Sequence, residues 1–277
     1  MPNSVLLCGC GWLNTQLIHP LHSLGVKVLA TSRDTQKLQR LSDQGVQSAF
    51  FELGQPFPFS KVPVNHDTTI VLSIPPGRRN PDTTMFEAGI RMLIAQFSAR
   101  QPAHIIFIST SAVYGDKANQ EIFEHSPLAP NTASAHTHVA LEHTVTESFP
   151  HNHTILRLAG LVGPARHPAT SLAGKQLTAP NRVVNLVHSE DVVVALLRLI
   201  KQGPQNQAMH LCASDHPQRK AYYTEAAQRM GLPLPTFEGD DDVFEDTGKK
   251  INASATLRAL GMTLAYPSPY DMIPLTN

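Results

Sequence analysis

The sequence predicts an α/β fold, a doubly wound parallel sheet with a smaller C-terminal part, on three observations. Short apolar runs alternate with stretches of helical periodicity through residues 4–158. The first of these runs leads into a glycine-lined bend, Gly9-Cys10-Gly11, that opens a helical stretch. After Gly163 the alternation gives way to clustered prolines and glycines, at Pro164, Pro168, Gly174 and Pro180. Strands that alternate with helices pair in parallel through right-handed crossovers, the arrangement of a Rossmann-type sheet.

Each element has its own signal. Residues 4–8 are a buried-strand run, and Leu13, Leu17, Leu21 and Leu24 then recur at helical spacing up to Gly25, with Pro20 placed to kink the helix. Residues 26–31 form a second strand, a polar helix through Leu38 and Leu41 stops near Gly45, and residues 46–51 are a weaker third strand. Residues 68–74 are a strong fourth strand, and Asp82 is placed to cap a helix striped by Phe86, Ile90, Leu93, Ile94 and Phe97. Residues 104–108 and 154–158 are strands on either side of a helix over residues 134–148. Beyond the proline cluster, residues 183–187 and 208–212 read as strands, separated by an apolar helix over 192–200 capped by Ser189. Helices over 217–230 and 253–260 flank an acidic stretch at 239–247. The implied division is a first domain over 1–162, to which 183–214 returns, and a smaller part made of 163–182 and 215–277.

Bulk properties exclude several classes. Hydrophobic residues are 42% of the 277, enough for a sizeable core, and charged residues at 16% are too sparse for a disordered chain. A formal net charge of zero argues against a global basic field for nucleic acid. Three cysteines, Cys8, Cys10 and Cys212, give neither a disulfide framework nor a metal-ligand pattern, so no metal site is expected. The start of the chain lacks the positive leader of a secretory signal, and no apolar run reaches bilayer-spanning length. A cytoplasmic monomer or homodimer without membrane or nucleic-acid partners is the expectation.

The bend carries the first functional signal. Gly9-x-Gly11-x-x-Asn14 follows a strand and opens a helix, where small residues let backbone amides approach a pyrophosphate. Gly9, Cys10, Gly11, Trp12, Leu13 and Asn14 are therefore candidate coenzyme contacts, with Asn14 where a third glycine is usual and Trp12 packing beside the pyrophosphate. An acidic residue after the second strand would hold the ribose hydroxyls of NAD. Ser32 and Arg33 stand there instead, and a hydroxyl and a guanidinium suit the 2′-phosphate of NADP, with NAD as the other candidate. Ser73, Ile74 and Pro75, at the end of the fourth strand, are expected beside the adenine and ribose. Arg78, Arg79 and Arg166 follow strand ends, where ligands of open α/β sheets bind, and suit an anionic small-molecule substrate.

Several stretches in order resemble the extended short-chain dehydrogenase/reductase family, the nucleotide-sugar epimerases and dehydratases. They are Gly9-Cys10-Gly11-Trp12-Leu13, the run from Phe107 through Ser109-Thr110-Ser111-Ala112-Val113-Tyr114-Gly115 to Asp116, and Arg157-Leu158-Ala159-Gly160-Leu161-Val162-Gly163-Pro164. Asn185-Leu186-Val187-His188-Ser189-Glu190-Asp191 and Leu260-Gly261 also match. The resemblance is to an atypical bacterial branch. It implies that Thr110 hydrogen-bonds the reacting oxygen, with Ser109 beside the coenzyme and Ser111 beside the substrate. It sets Ser134 and His138 at the positions of the family's Tyr and Lys, so the usual Tyr-x-x-x-Lys pair is missing. Serine is too weak an acid to act as base unaided, and histidine as a residue type is mostly neutral near pH 7. Thr110, Tyr114 and His138 are then the candidate catalytic residues for epimerase- or oxidoreductase-type chemistry. A dinucleotide-binding sensor or regulator with impaired catalysis is the alternative.

Overall fold

The computed structural model describes residues 1–76, 83–116, 120–238 and 246–274. In chain order the first half holds β1 (Ser4–Cys8), α1 (Trp12–Thr15), α2 (Ile18–Ser23), β2 (Lys27–Ser32), α3 (Thr35–Asp43), β3 (Gln47–Phe50), β4 (Thr68–Leu72), α4 (Thr84–Ser98), β5 (His104–Thr110), β6 (Gln120–Ile122) and α5 (Ala133–Ser148). The second half holds β7 (His153–Leu158), β8 (Gly160–Val162), α6 (Pro168–Leu172), β9 (Gln176–Thr178), β10 (Leu186–His188), α7 (Ser189–Gln202), β11 (Ala208–Leu211), α8 (Arg219–Arg229), β12 (Thr236–Glu238), β13 (Lys249–Ile251) and α9 (Ser254–Leu260).

Seven strands make the central sheet, in the order β11-β7-β5-β4-β1-β2-β3. The registers of β1 with β2 and β4, of β2 with β3 and of β4 with β5 are parallel. Amide bonds from Ile155 to Gln207 and from Ala159 to Leu211 advance together, so β7 and β11 continue the parallel sheet. The order reverses between β1 and β4, which makes their carboxyl ends the switch point where open α/β sheets take ligands. Every residue from Val5 to Cys8 is fully buried, as a strand covered on both faces requires. One face packs Leu6, Cys8, Ile70, Leu72, Ile105 and Phe107 against α4 and α5 through Ile90, Leu93, Phe97, Leu141 and Val145.

Contacts divide the chain into two compact units, 1–113 with 130–157 and 195–209, and 114–129 with 158–194 and 210–277. Only 195–209 of the expected returning segment belongs to the first unit, and 114–129 leaves it for the second. The second unit carries three short parallel pairs, β8 with β10, β9 with β12 and β6 with β13. Its core includes Val162, Leu186, Tyr222, Tyr223, Ala226 and Met272. His167 takes the Ala169 amide on Nδ1 at 3.2 Å, so its Nε2–H donates to the Tyr222 hydroxyl at 2.9 Å.

Two local expectations need correction. The first helix is two pieces, broken at Gln16 and Leu17, because Pro20 lacks an amide and its ring excludes the carbonyl four residues back. Pro20 falls in the first turn of α2, where no amide is needed. Ser189 begins α7, but its buried hydroxyl has no partner among the described residues, and His188 Nδ1 accepts the Glu190 amide at 3.4 Å instead. Asp191, in the first turn of α7, accepts the amides of Ala265 and Tyr266 at 2.7 and 3.2 Å. Asp82 lies outside the described residues, as does most of the acidic stretch; Thr83 precedes α4 without a side-chain cap bond.

Candidate functional site

The bend after β1 is tied down by its own amides as well as by side chains: the Cys10 amide donates to the Thr31 carbonyl at 2.8 Å and the Gly11 amide to the Gly9 carbonyl at 2.7 Å. Gly9 has φ +80°, and a Cβ there would stand 2.7 Å from Ile74 Cγ1 and 2.9 Å from the Ser73 carbonyl oxygen. Glycine at this position is demanded by the fold. Both peptide groups of Gly9 are fastened: its amide donates to Thr31 Oγ1 at 3.2 Å, and its carbonyl accepts Asn14 Nδ2 at 3.2 Å. Asn14, fully buried, thus ties the bend to the first helical turn where a third glycine would only let them approach. Its side chain faces inward, so the alternative of a phosphate contact is corrected; Cys10 and Leu13 are buried likewise. A coenzyme contact by these residues would be through backbone, and the Cys10 amide is already given to the Thr31 carbonyl.

Gly11 is different. Its φ of −87° and ψ of −158° suit any residue, and a Cβ there would meet nothing nearer than the Gly9 carbonyl oxygen at 3.9 Å. Nothing among the described residues requires glycine there, and the position is exposed. The missing side chain leaves a cradle open on the solvent side, beside the first-turn amides of α1, which have no carbonyl four residues back within the helix. That cradle fits a dinucleotide's pyrophosphate. Trp12 is half-buried at its edge.

At the end of β2, Asp34 caps α3 by accepting the Lys37 amide at 3.0 Å. The Asp34 amide in turn donates to Ser32 Oγ at 3.1 Å. Arg33 is exposed, with no ion-pair partner among the described residues. Sequence reasoning missed Lys37, half-buried in the first turn of α3. Burial pushes the Cys10 thiol up, while the Thr15 hydrogen bond and the Lys37 ammonium draw it back, which places the Lys37 charge near the glycine bend.

Across the switch point, the Ser73 amide donates to the Cys8 carbonyl at 2.9 Å, so Ser73 and Ile74 lie against the bend. Thr110 ends β5 half-buried, and its Oγ1 accepts the Ala112 amide at 3.2 Å, which leaves the hydroxyl proton to donate elsewhere. Ser109 does not reach outward: its hydroxyl, 4% exposed, donates to Glu142 on α5. Glu142 also takes Arg157 Nη2 at 2.7 Å and Nε at 3.1 Å, a buried ion pair between α5 and β7. On the same face of α5, His138 lies in the neighbourhood of Phe86 and Phe107. Its Nδ1–H donates to the Ser134 carbonyl at 2.8 Å, since a carbonyl can only accept, so in the neutral ring the lone pair is on Nε2.

Residues 5–212 match the NAD dependent epimerase/dehydratase family. The chain belongs to that family. Protein YeeZ of Escherichia coli K12 is 31% identical over 273 residues, covering 97% of this chain and 98% of YeeZ. Similar solved structures include the UDP-glucuronic acid 4-epimerase of Bacillus cereus in complex with NAD, at TM-score 0.79, 14% identity and coverage of 98% and 94%. MoeE5 in complex with UDP-glucose and NAD has TM-score 0.78 at 16% identity, with coverage of 97% and 96%. A functionally unknown conserved protein from Silicibacter pomeroyi has TM-score 0.79 at 22% identity, with coverage of 98% and 96%.

This epimerase/dehydratase-family chain departs from expectation at Tyr114. The phenol is fully buried and donates to His210 Nδ1 at 3.1 Å, because His210 Nε2–H is given to the Asn252 carbonyl at 2.6 Å. Tyr114 is an internal anchor of the second unit and offers substrate no proton. Ser111 is 8% exposed in the 3-10 turn that follows β5. Arg166 is exposed on a tight turn whose backbone bonds Gly163 in both directions, with Ala165 at φ 55°. Arg78 and Arg79 lie outside the described residues. Among the described residues no group of three or more His, Cys, Asp or Glu could hold a metal ion, and no helix is long and apolar enough to cross a membrane.

Proposed function

We propose that this chain is an NADP-dependent enzyme of oxidoreductase or epimerase type acting on a small anionic, sugar-nucleotide-like substrate. The observation that carries the coenzyme reading is Gly11, a glycine that neither its backbone angles nor its neighbours require. Gly9 and Gly11 would hold the pyrophosphate, Ser32 the adenosine ribose, and Ser73, Ile74 and Pro75 the adenine half. Arg33 and Lys37 supply two positive charges, while the Asp34 carboxylate is directed to the Lys37 amide at the start of α3. The UDP-sugars and NAD held by MoeE5 support a sugar-nucleotide substrate class for a chain of the same fold.

When bound, the nicotinamide takes up and returns hydride. The chain's own share is positioning and proton handling. Thr110 donates its free hydroxyl proton to the reacting oxygen of the substrate. His138, with its tautomer fixed by Ser134, offers Nε2 as proton acceptor in place of the family's Tyr and Lys. A hydrogen bond to a charged partner is worth about 1.5–3 kcal/mol, or roughly 10- to 150-fold in affinity. Arg33→Ala and Lys37→Ala should each weaken NADP binding by about tenfold or more while leaving NAD within about twofold. Equal losses for the two coenzymes would refute the 2′-phosphate role.

A further inference from the structure

The inward face of α5 poses a packing problem. Its buried residues are Ala135, Thr137, His138, Leu141, Glu142 and Val145, of which three are polar. A face this polar fixes the helix's rotation poorly by apolar burial alone, since apolar packing is non-directional. Each polar residue instead has a directed partner. Thr137 donates to Thr83 Oγ1 at 2.7 Å, His138 to the Ser134 carbonyl, and Glu142 receives both Ser109 and Arg157. The Glu142–Arg157 pair is about as buried as an ion pair can be, each side chain 7% exposed. Apolar residues of similar volume are often as stabilising as such a pair, so stability does not explain it.

Its location does. Ser109 is the residue directly before Thr110, and Glu142 follows His138 by one helical turn on the same face. One carboxylate therefore grips the strand that ends in Thr110 and the helix that carries His138, and Arg157 braces it from β7. We propose that Glu142, gripping Ser109 and braced by Arg157, is the positioning residue that fixes α5, the helix carrying His138, on the strand that ends in Thr110 and so sets the nicotinamide end of the coenzyme site. The inference rests on the coenzyme reading above. The glycine bend, which grips the other half of the coenzyme, makes none of the bonds to Glu142. Loosening the clamp should therefore disturb the nicotinamide end while the adenosine end stays bound.

The full chain is titrated with NADPH, reading affinity by calorimetry and the nicotinamide environment by the emission of the bound reduced ring. Ser109→Ala removes one hydroxyl and leaves the ion pair in place. It should bind NADPH within about threefold of wild type, by the small change expected when only one end is loosened, yet lose most of the emission enhancement and blue shift. Ser109→Thr restores the hydroxyl and should restore the emission. Val145→Ala, an apolar truncation on the same buried face, controls for stability and should lower the melting temperature without changing the emission. Wild-type emission in folded Ser109→Ala would overturn the proposal, as would an equal change in Val145→Ala. Should Ser109→Ala not fold, Ser109→Cys is read in its place, and wild-type emission there overturns the proposal in the same way. Wild-type protein that takes up no NADPH overturns it together with the coenzyme reading, whereas binding with unchanged emission leaves that reading standing.

Discussion

Gly9 and Gly11 stand two residues apart, and the structure assigns them opposite dependencies, which alanine at each position separates. At Gly9 an alanine must hold φ +80°, a left-handed conformation that costs about 1–2 kcal/mol for a residue with a Cβ. Its methyl would also stand 2.7 Å from Ile74 Cγ1 and 2.9 Å from the Ser73 oxygen, and the required shift costs about 1–3 kcal/mol more. Gly9→Ala should therefore lose roughly 2–5 kcal/mol, a fall of several degrees in melting temperature at about 2–4 °C per kcal/mol. At Gly11 the backbone is ordinary and the nearest atom is 3.9 Å away. Alanine gains about 0.4–1 kcal/mol by restricting the unfolded chain and loses a similar amount as a poorer helix cap, so stability should change by less than about 0.5 kcal/mol. Its methyl would nevertheless occupy the pyrophosphate cradle, and a penalty of about 1.4 kcal/mol or more means at least tenfold weaker coenzyme binding. Differential scanning calorimetry reads the first effect and titration with NADP and NAD the second. A Gly11→Ala or Gly11→Val protein that binds coenzyme as wild type does would refute the reasoning.

Three further outcomes follow from buried groups. Burial holds His104 down to about 3 and His167 down to about 4, so the unfolded chain takes up protons that the fold refuses. Their contribution is complete above about pH 6.5 and is lost as pH falls toward those values, by up to about 1.4 kcal/mol per unit for each; urea titrations should show stability falling by roughly 2–4 kcal/mol between pH 7 and 5, less so in His104→Asn, and a flat profile would contradict this. Arg157→Met should cost about 3–5 kcal/mol by leaving Glu142 buried and unpaired, and adding Glu142→Met should recover most of it; a single variant within 1 kcal/mol of wild type would show that the pair is not the buried unit described. Tyr114→Phe should lose about 1–2 kcal/mol with the His210 bond while coenzyme affinity stays unchanged, and a tenfold affinity loss would return Tyr114 to the site.

The sheet was legible because its strands are buried on both faces. Continuous apolar runs such as residues 4–8 and 68–72 have no other use in a chain of this composition. The glycine bend was legible for the same local reason, a strand meeting a helix across two glycines. Pieces too short to carry a period were not legible: the three-residue strands β6, β8, β9, β12 and β13 are held by pairing rather than by pattern. Side-chain direction was the other blind spot. Sequence order places Ser109 beside Thr110 and Tyr114 four residues beyond it, but only the fold shows Ser109 turned onto Glu142 and the Tyr114 phenol turned onto His210. Lys37 escaped notice because its charge comes to the bend across a helical turn rather than along the strand end.

Calorimetric titration of the wild-type protein with NADP and with NAD, at one fixed salt concentration, tests the seat at the glycine bend most directly. Saturable one-to-one binding of both, tighter for NADP, is the predicted result. A folded protein that releases no heat with either coenzyme would contradict it.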